Sequence, residues 1–228
     1  MTRLIVVAEG QTEEAFVKEV LAPHLDPLGV YTRATIVGKL VTERRGHASR
    51  GGGAFSHWLK DIRRILGTDR SADLRVTTLF DLYGLPDDFP GLASHGADRD
   101  TSRRCDALEE ALRLHVGDHR FLPYLQRHEF EALVLASLAA LRGLLDARDD
   151  LIGLTTLEGQ VGDTPPEDVN DGPNTAPSKR LLQHLGGYSK TLHGPLALAD
   201  TGLVRLRERC PRFDTWICKL EAYAGGPS

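Results

Sequence analysis

Short apolar runs alternate with amphipathic stretches along the first half of the chain. The run Leu4–Ala8 is rich in Ile and Val, which predicts a buried strand. Further runs predict strands over residues 30–37, 74–80 and 121–125. Helical spacing between these runs predicts helices over residues 13–24, 55–66 and 102–115. This alternation indicates an α/β fold with a mostly parallel sheet of about four strands flanked by helices.

The second half carries mainly helical patterns. A helix is expected from His128 to about Leu145, and the Pro-rich, acidic stretch 154–176 predicts an irregular loop. Apolar spacing then predicts three helices, over residues 178–185, 196–209 and 213–223. We therefore expect an α/β core over residues 1–150 and a helical C-terminal appendage over residues 151–228, packed on that core.

Composition limits the classes of function. Of the 228 residues, 41% are hydrophobic and 26% charged, as in ordinary globular proteins, and the net charge of -4 provides no global basic field for coating nucleic acid. An enzyme with a local basic groove remains open. The three cysteines are too widely spaced for a disulfide framework or a zinc site. Without a membrane-spanning run or a signal-peptide pattern, a cytoplasmic location is expected.

Acidic side chains follow two of the predicted strands. Glu9 comes directly after the first strand, Asp81 after the third, and Glu13 in the first turn of the first helix, for which Thr12 is the expected N-cap. In open α/β sheets, ligands bind where the carboxyl ends of parallel strands meet. Carboxylate oxygens suit hard divalent cations. The pattern predicts a Mg²⁺ or Mn²⁺ site, although Glu13 alternatively only complements the helix dipole.

Two more acids follow the fourth predicted strand. Glu129 and Glu131 occupy different faces of the predicted helix, so we expect at most one of them to point at a shared metal. That residue would complete the metal shell or act as a base. The alternative is that both acids only complement the helix dipole.

Basic residues form candidate phosphate contacts. Arg44 and Arg45 precede a glycine run, which suits a phosphate-contacting loop or, alternatively, an ordinary solvated loop. Lys179 and Arg180 open a predicted helix, where cations oppose the helix dipole, so phosphate binding becomes the more attractive explanation. Lys190 belongs to a second polar cluster.

The segments Glu9-Gly-Gln-Thr-Glu13 and Asp81-Leu-Tyr-Gly resemble the TOPRIM fold of topoisomerases, primases and overcoming-lysogenization-defect nucleases. That family has a glutamate after strand one and an Asp-x-Asp motif after strand three. The nuclease version is Glu-Gly-x-Thr-Glu, with both glutamates as metal ligands. Here Tyr83 stands where the second aspartate is expected. A two-metal site would need another acid, and the candidates are Asp87, Asp88, Glu129 and Glu131.

Three later segments extend the resemblance over nearly the whole chain: His128-Glu-Phe-Glu-Ala-Leu, Ser178-Lys-Arg and Cys210-Pro-Arg-Phe-Asp-Thr-Trp. Together the motifs look like a small bacterial family of TOPRIM-like proteins that are often encoded beside ABC-type ATPases. The resemblance implies a role in phage defence or DNA metabolism, with nucleic acid and the ATPase as partners. It leaves the oligomeric state open.

The expected function is that of a Mg²⁺- or Mn²⁺-dependent phosphodiesterase, namely a nuclease. The expected metal ligands are Glu9, Glu13, Asp81 and Glu129, the catalytic residues are Glu9, Asp81, Glu131 and Lys179, and the phosphate-binding residues are Arg44, Arg45, Lys179, Arg180 and Lys190. One alternative is a non-catalytic regulatory module that docks a partner ATPase. Another is a small-molecule phosphohydrolase or phosphotransfer enzyme that uses the same metal site.

Overall fold

A computed structural model describes residues 1–38, 53–170 and 175–225. At its centre is a parallel sheet in which β1 lies between β2 and β3, while β4 and β5 both pair with β3. The strands are β1 (Thr2–Ala8), β2 (Val30–Ile36), β3 (Leu74–Asp81), β4 (Phe121–Leu122) and β5 (Leu125–Gln126). The expected α/β fold with a parallel sheet is confirmed, and the fourth predicted strand is present in two pieces.

Strand register aligns the carboxyl ends of the central strands. Ala8, the last residue of β1, pairs with Ile36 on one side and with Leu79 on the other. Glu9 therefore leaves the sheet beside the end of β3, where Asp81 is the last strand residue. The two acids are neighbours because their strands are adjacent and parallel.

At the break between β4 and β5, one side chain forms hydrogen bonds with the backbone N–H and carbonyl groups of Tyr124. The hydroxyl of Thr78 donates to the carbonyl oxygen of Tyr124 (2.7 Å) and accepts from its backbone N–H (2.8 Å). Both polar groups of the Tyr124 backbone thus find a partner on β3 although they leave the sheet ladder. The chain rejoins the sheet at Leu125, which pairs with Phe80.

The first helical stretch contains a wide turn. It runs from α1 (Gln11–Phe16) through a π-helical segment, Val17–Leu21, into α2 (Ala22–Leu25). Pro23 cannot donate a backbone hydrogen bond, and the wider turn directly precedes it. Gly10 is the N-cap of α1, so the expected N-cap at Thr12 is wrong by two residues.

Three further helices lie in the described part of the first half: α3 (Phe55–Thr68), α4 (Leu92–His95) and α5 (Thr101–Val116). Trp58 and Ile62 of α3 and Leu108 of α5 are buried in one cluster with sheet residues such as Val76. Asp100 caps α5 by accepting from the backbone N–H groups at 102 and 103.

The described residues of the second half contain seven α-helices and a short 3-10 helix, Pro166–Asp168. The α-helices are α6 (Glu131–Leu135), α7 (Leu138–Leu141), α8 (Arg148–Val161), α9 (Pro177–His184), α10 (Lys190–Thr201), α11 (Leu203–Arg209) and α12 (Pro211–Glu221). Three expectations are wrong here. The single helix predicted over residues 196–209 is divided at Gly202 between α10 and α11. The single helix from His128 is replaced by two short helices, α6 and α7. Residues 154–161 are helical instead of irregular, because Gly153 lets α8 pack directly against the end of α9. A Cβ at Gly153 would lie 2.0 Å from the carbonyl oxygen of His184.

One apolar cluster joins both halves of the chain. It contains Leu4 and Phe16 from the first half and Leu154 and Trp216 from the second. The indole of Trp216 also donates to Thr77 (3.0 Å), which anchors α12 to the sheet. The division at residue 150 stays a prediction. Among the described helices, none is both long and apolar enough to span a bilayer.

Candidate active site

Five carboxylates gather at the carboxyl edge of the sheet. Four of them, Glu9, Glu13, Glu129 and Glu131, are close enough to Asp81 to affect its titration. Burial is the main cause that raises the pKa of Asp81 well above its usual value, and repulsion from these four carboxylates adds to it. The acids at the ends of β1 and β3 and those after β5 therefore form one electrostatic unit.

Glu9 is held against the end of β3. Its Oε1 accepts the backbone N–H of Asp81 at 2.6 Å. Burial raises the pKa of Glu9 to about 8, the Asp81 N–H opposes this rise, and the charge of Glu13 adds to it. Gly84 makes the position possible, because a Cβ there would lie 2.7 Å from Oε2 of Glu9.

Two further hydrogen bonds connect the acids to neighbouring loops. Oδ1 of Asp81 accepts the backbone N–H of Phe130 at 2.7 Å, so the loop after β5 is tied to the end of β3. Oε2 of Glu129 accepts the backbone N–H of Ser178 at 2.9 Å, in the first turn of α9. Each acid is thus oriented by a backbone donor from a different part of the chain.

Lys190 supplies the positive charge at the cluster. Its ammonium group lies 2.9 Å from Oε1 of the buried Glu131. Burial disfavours the charge on Lys190, but Glu131 outweighs that effect and raises the pKa of Lys190. Glu13 is also buried, which raises its pKa, while backbone N–H groups at Gly10 and Glu13 and the charge of Lys190 offset part of the rise.

The donor chemistry of the cluster fits a hard cation. Oxygen ligands from several carboxylates are what Mg²⁺ and Mn²⁺ prefer. The present orientations do not form a coordination shell: over residues 1–38, 53–170 and 175–225, no three His, Cys, Asp or Glu side chains are arranged to hold a metal ion. One oxygen each of Glu9, Asp81 and Glu129 is directed at a backbone N–H group, which is part of the reason why these side chains do not form a coordination shell.

Glu129 is not on the helix that was predicted to carry both acids. α6 begins at Glu131, so Glu129 belongs to the preceding loop. The charges of both acids contribute to the raised pKa of Asp81, and the expectation that at most one of them points at a shared metal stays a prediction. Asp88 has a different role from the acid needed to complete an Asp-x-Asp motif, because it accepts the Phe55 N–H at the start of α3 (2.7 Å).

The predicted basic residues separate into two groups. Lys190 joins the carboxylate cluster. Lys179 is exposed on α9, and Arg180 donates to the Thr175 carbonyl oxygen (2.9 Å) and to Gln160 of α8 (3.3 Å). Arg44 and Arg45 lie outside the described residues.

A second polar group beside the carboxylates was missed as a unit. His128 Nδ1 lies 2.9 Å from the hydroxyl of Tyr83, and the side-chain amide of Asn170 contacts both. Burial, together with the charge of Arg127, lowers the pKa of His128 to about 4, so its imidazole is neutral at physiological pH. Tyr83 and His128 could have been paired from the sequence, since each follows a strand end at the same sheet edge. Asn170 carries no such indication.

Comparisons with solved structures return C-terminal regions of OLD proteins. The region from Burkholderia pseudomallei is 18% identical, with 97% of this chain and 99% of that chain covered and a TM-score of 0.45. Two structures of the region from Xanthomonas campestris pv. campestris have TM-scores of 0.38 and 0.39. They are 20% and 19% identical, each covering 96% of this chain and 97% and 98% of their own.

Sequence comparison gives a family assignment. No curated protein matches the chain significantly. The family model described as "Domain of unknown function (DUF4276)" matches residues 8–221, which is most of the sequence. The chain therefore belongs to the DUF4276 family.

Proposed function

We propose that this protein is a metal-dependent phosphodiesterase, and specifically a nuclease that uses Mg²⁺ or Mn²⁺. The observation that carries the proposal is the convergence of five carboxylates and one lysine at the carboxyl ends of adjacent parallel strands. So much like charge in one buried place is unfavourable unless protons or a cation neutralise it. The TOPRIM-like motifs that contain Glu9 and Asp81 support the same activity.

Four of the acids would hold the cation: Glu9, Glu13, Asp81 and Glu129. A bound divalent ion would polarise a phosphoryl oxygen and lower the pKa of a coordinated water. Glu9 and Asp81 would form the centre of the ligand set, because the sheet register fixes them beside each other. Because their raised pKa values favour the protonated forms, binding of the cation would displace protons from these acids.

Lys190 would neutralise a non-bridging oxygen of the scissile phosphate, since it already lies at the edge of the acidic cluster. Glu131 holds the ammonium group in that place and is the candidate proton acceptor for the attacking water. The exposed Lys179 and Arg180, which is bonded to Thr175 and Gln160, would contact flanking phosphates instead of the reacting one. Nucleic acid would be the substrate, and the cytoplasm the location.

The test is cleavage of DNA and RNA in millimolar Mn²⁺ by the wild type and by two near-isosteric variants. Glu9→Gln and Asp81→Asn should each abolish metal-dependent cleavage while keeping the folded structure. Glu110→Gln is the matched control, because Glu110 is an exposed acid paired with Arg113 on α5. Cleavage retained by both site variants at the wild-type rate would remove the proposal.

A second candidate is a non-catalytic interaction module for an ABC-type ATPase. The specific observation in its favour is that Glu9, Asp81 and Glu129 each accept a backbone N–H, so these acids also serve as structural ties. Calorimetric titration with Mn²⁺ separates the candidates. Binding in the millimolar range or tighter supports the nuclease, and no heat of binding at high Mn²⁺ supports the module.

A phosphohydrolase acting on small molecules would use the same acids. Affinity for DNA across a salt series distinguishes it from a nuclease. Binding to the nucleic-acid backbone weakens steeply with salt because counterions are released from several phosphates. A small phosphoester engages one such contact, so a nuclease should show the steeper dependence.

A further inference from the structure

Tyr83 and His128 connect two loops at the carboxylate cluster through both backbone and side chain. The backbone N–H of Tyr83 donates to the carbonyl oxygen of His128 at 3.0 Å. Their side chains meet again, with the Tyr83 hydroxyl 2.9 Å from Nδ1 and the two rings 5.2 Å apart. The turn after β3 is thereby fixed to the loop after β5. Asp81 directly precedes the first of these segments, and Glu129 lies in the second.

The backbone of His128 is held in an unusual conformation. Its φ of 64° lies in the left-handed region, and over the described ranges it is the one non-glycine residue with a positive φ. For a residue with a Cβ this conformation is energetically unfavourable, so contacts with the surrounding structure must compensate for its cost. The two residues that follow are Glu129 and Phe130, whose N–H group binds Asp81. The conformation at His128 therefore sets the course of the segment that supplies both groups.

Asn170 orients the hydrogen bonds of this group. The hydroxyl of Thr175 donates to Oδ1 of Asn170 at 3.0 Å, which assigns the amide nitrogen to the side facing Tyr83. The amide then donates to the phenol oxygen, and the phenol directs its own proton to Nδ1 of His128. This chain of donors gives the Tyr83 hydroxyl one defined role.

We propose that Tyr83, His128 and Asn170 form a positioning unit for the carboxylate cluster. The unit maintains the left-handed backbone at His128, so that the Phe130 N–H stays on Asp81 and Glu129 stays directed at the start of α9. Its consequence for catalysis rests on the proposed function. Its structural part does not, because loop opening can be measured without any substrate.

The test compares Tyr83→Phe with the wild type by native-state hydrogen exchange and by Mn²⁺-dependent cleavage. Loss of the hydroxyl should speed exchange of the Phe130 amide roughly two- to tenfold, as expected for the loss of one part-buried hydrogen bond. The kcat of cleavage should fall by a similar factor with KM unchanged, because the residue does not touch substrate. Tyr31→Phe is the control: it removes the same hydroxyl from a comparably exposed tyrosine on β2 and should change neither value.

A second pair of variants tests the backbone at His128. Asn tolerates the left-handed conformation, so His128→Asn should keep more of the Phe130 protection than His128→Ala. If Tyr83→Phe does not fold, Asn170→Ala tests the same chain of donors from its other end. Equal protection of Phe130 in Tyr83→Phe and wild type overturns the proposal. The proposal is also overturned if the protein cleaves nucleic acid and Tyr83→Phe shows faster exchange of the Phe130 amide with an unchanged kcat. Faster exchange in a protein that never cleaves supports the structural part and counts only against the nuclease.

Discussion

The carboxylate of Glu9 accepts the backbone N–H of Asp81 at 2.6 Å, across the carboxyl ends of two adjacent parallel strands. Oδ1 of the same Asp81 accepts the backbone N–H of Phe130. A chain of acid-to-backbone contacts thus runs from β1 through β3 to the loop after β5. Any change that moves Glu9 should therefore also shift the other acids of the cluster.

Gly84→Ala should displace Glu9 without unfolding the protein. The added Cβ would lie 2.7 Å from Oε2 of Glu9, and a flexible carboxylate can move away more easily than the backbone. We expect Mn²⁺ affinity, measured by calorimetry, to fall about tenfold, the change that accompanies loss of a well-placed ligand or its support. The melting temperature should fall by only a few degrees.

Gly67→Ala is the matched control for this substitution. Gly67 lies in α3, and apart from its chain neighbours and the backbone of its own helix no atom lies within 4 Å of the position that its Cβ would take. Alanine there should stabilise the helix by up to about 1 kcal/mol and leave Mn²⁺ affinity unchanged. Unaltered affinity in Gly84→Ala would show that Glu9 is not a ligand in its present position.

Stability in the absence of divalent metal should fall as pH rises from about 4.5 to 8. The pKa of Glu9 is raised from its ordinary 4.5 to about 8 in the folded protein. Over this interval the unfolded chain releases the proton first, so ionisation favours unfolding. Thermal unfolding in chelator at several pH values measures the effect, and Glu9→Gln should show a weaker pH dependence than wild type.

Divalent metal should reverse this trend. A cation that binds the ionised carboxylates competes with protons, so added Mn²⁺ should raise the melting temperature more at pH 8 than at pH 6. Glu110→Gln, which alters an exposed acid on α5, should respond like the wild type. Equal stabilisation by Mn²⁺ at both pH values would contradict the placement of the cation at Glu9 and Asp81.

Lys190→Met should destabilise the protein, because it leaves the buried Glu131 without its cation. Lys190 is itself partly exposed, so the loss should be about 1–2 kcal/mol, less than for a fully buried pair. The double variant Lys190→Met/Glu131→Gln should recover part of this loss in denaturant unfolding. A double variant whose loss equals the sum of the two single losses would show that the pair is not coupled.

Glu167 has a structural role that tests the docking of the C-terminal helix. Its two carboxylate oxygens accept the backbone N–H groups of Arg212 (2.8 Å) and Phe213 (3.1 Å), in the first turn of α12. Glu167→Ala should cost ~1–3 kcal/mol, because it leaves two donors in that turn without this acceptor. Glu208→Ala, at an exposed position of α11, is the control and should cost less than ~0.5 kcal/mol.

The fold and the acids of the site could be predicted from the sequence, since both depend on local pattern. Apolar runs mark the strands, and Glu9 and Asp81 follow directly in the chain, so parallel pairing brings them together. Glu129 was harder to place because the start of α6 was predicted too early.

Other features depend on contacts between distant segments. Gly153 and Gly159 lower the intrinsic helix propensity of residues 153–161, yet packing of α8 on α9 makes this stretch helical. Asn170 reaches Tyr83 across 87 positions of the chain, and Glu167 reaches Arg212 across 45. No spacing rule within one segment reports such pairs.

The most direct test of the central claim is anomalous diffraction from crystals grown with Mn²⁺. We predict a peak between the carboxylates of Glu9 and Asp81, lost in the Glu9→Gln and Asp81→Asn crystals. Its position will also show whether Glu13 or Glu129 completes the ligand set. An acidic cluster without a peak at high Mn²⁺, with Glu9 still bound to the Asp81 N–H, would contradict the metal-dependent account and favour the interaction module.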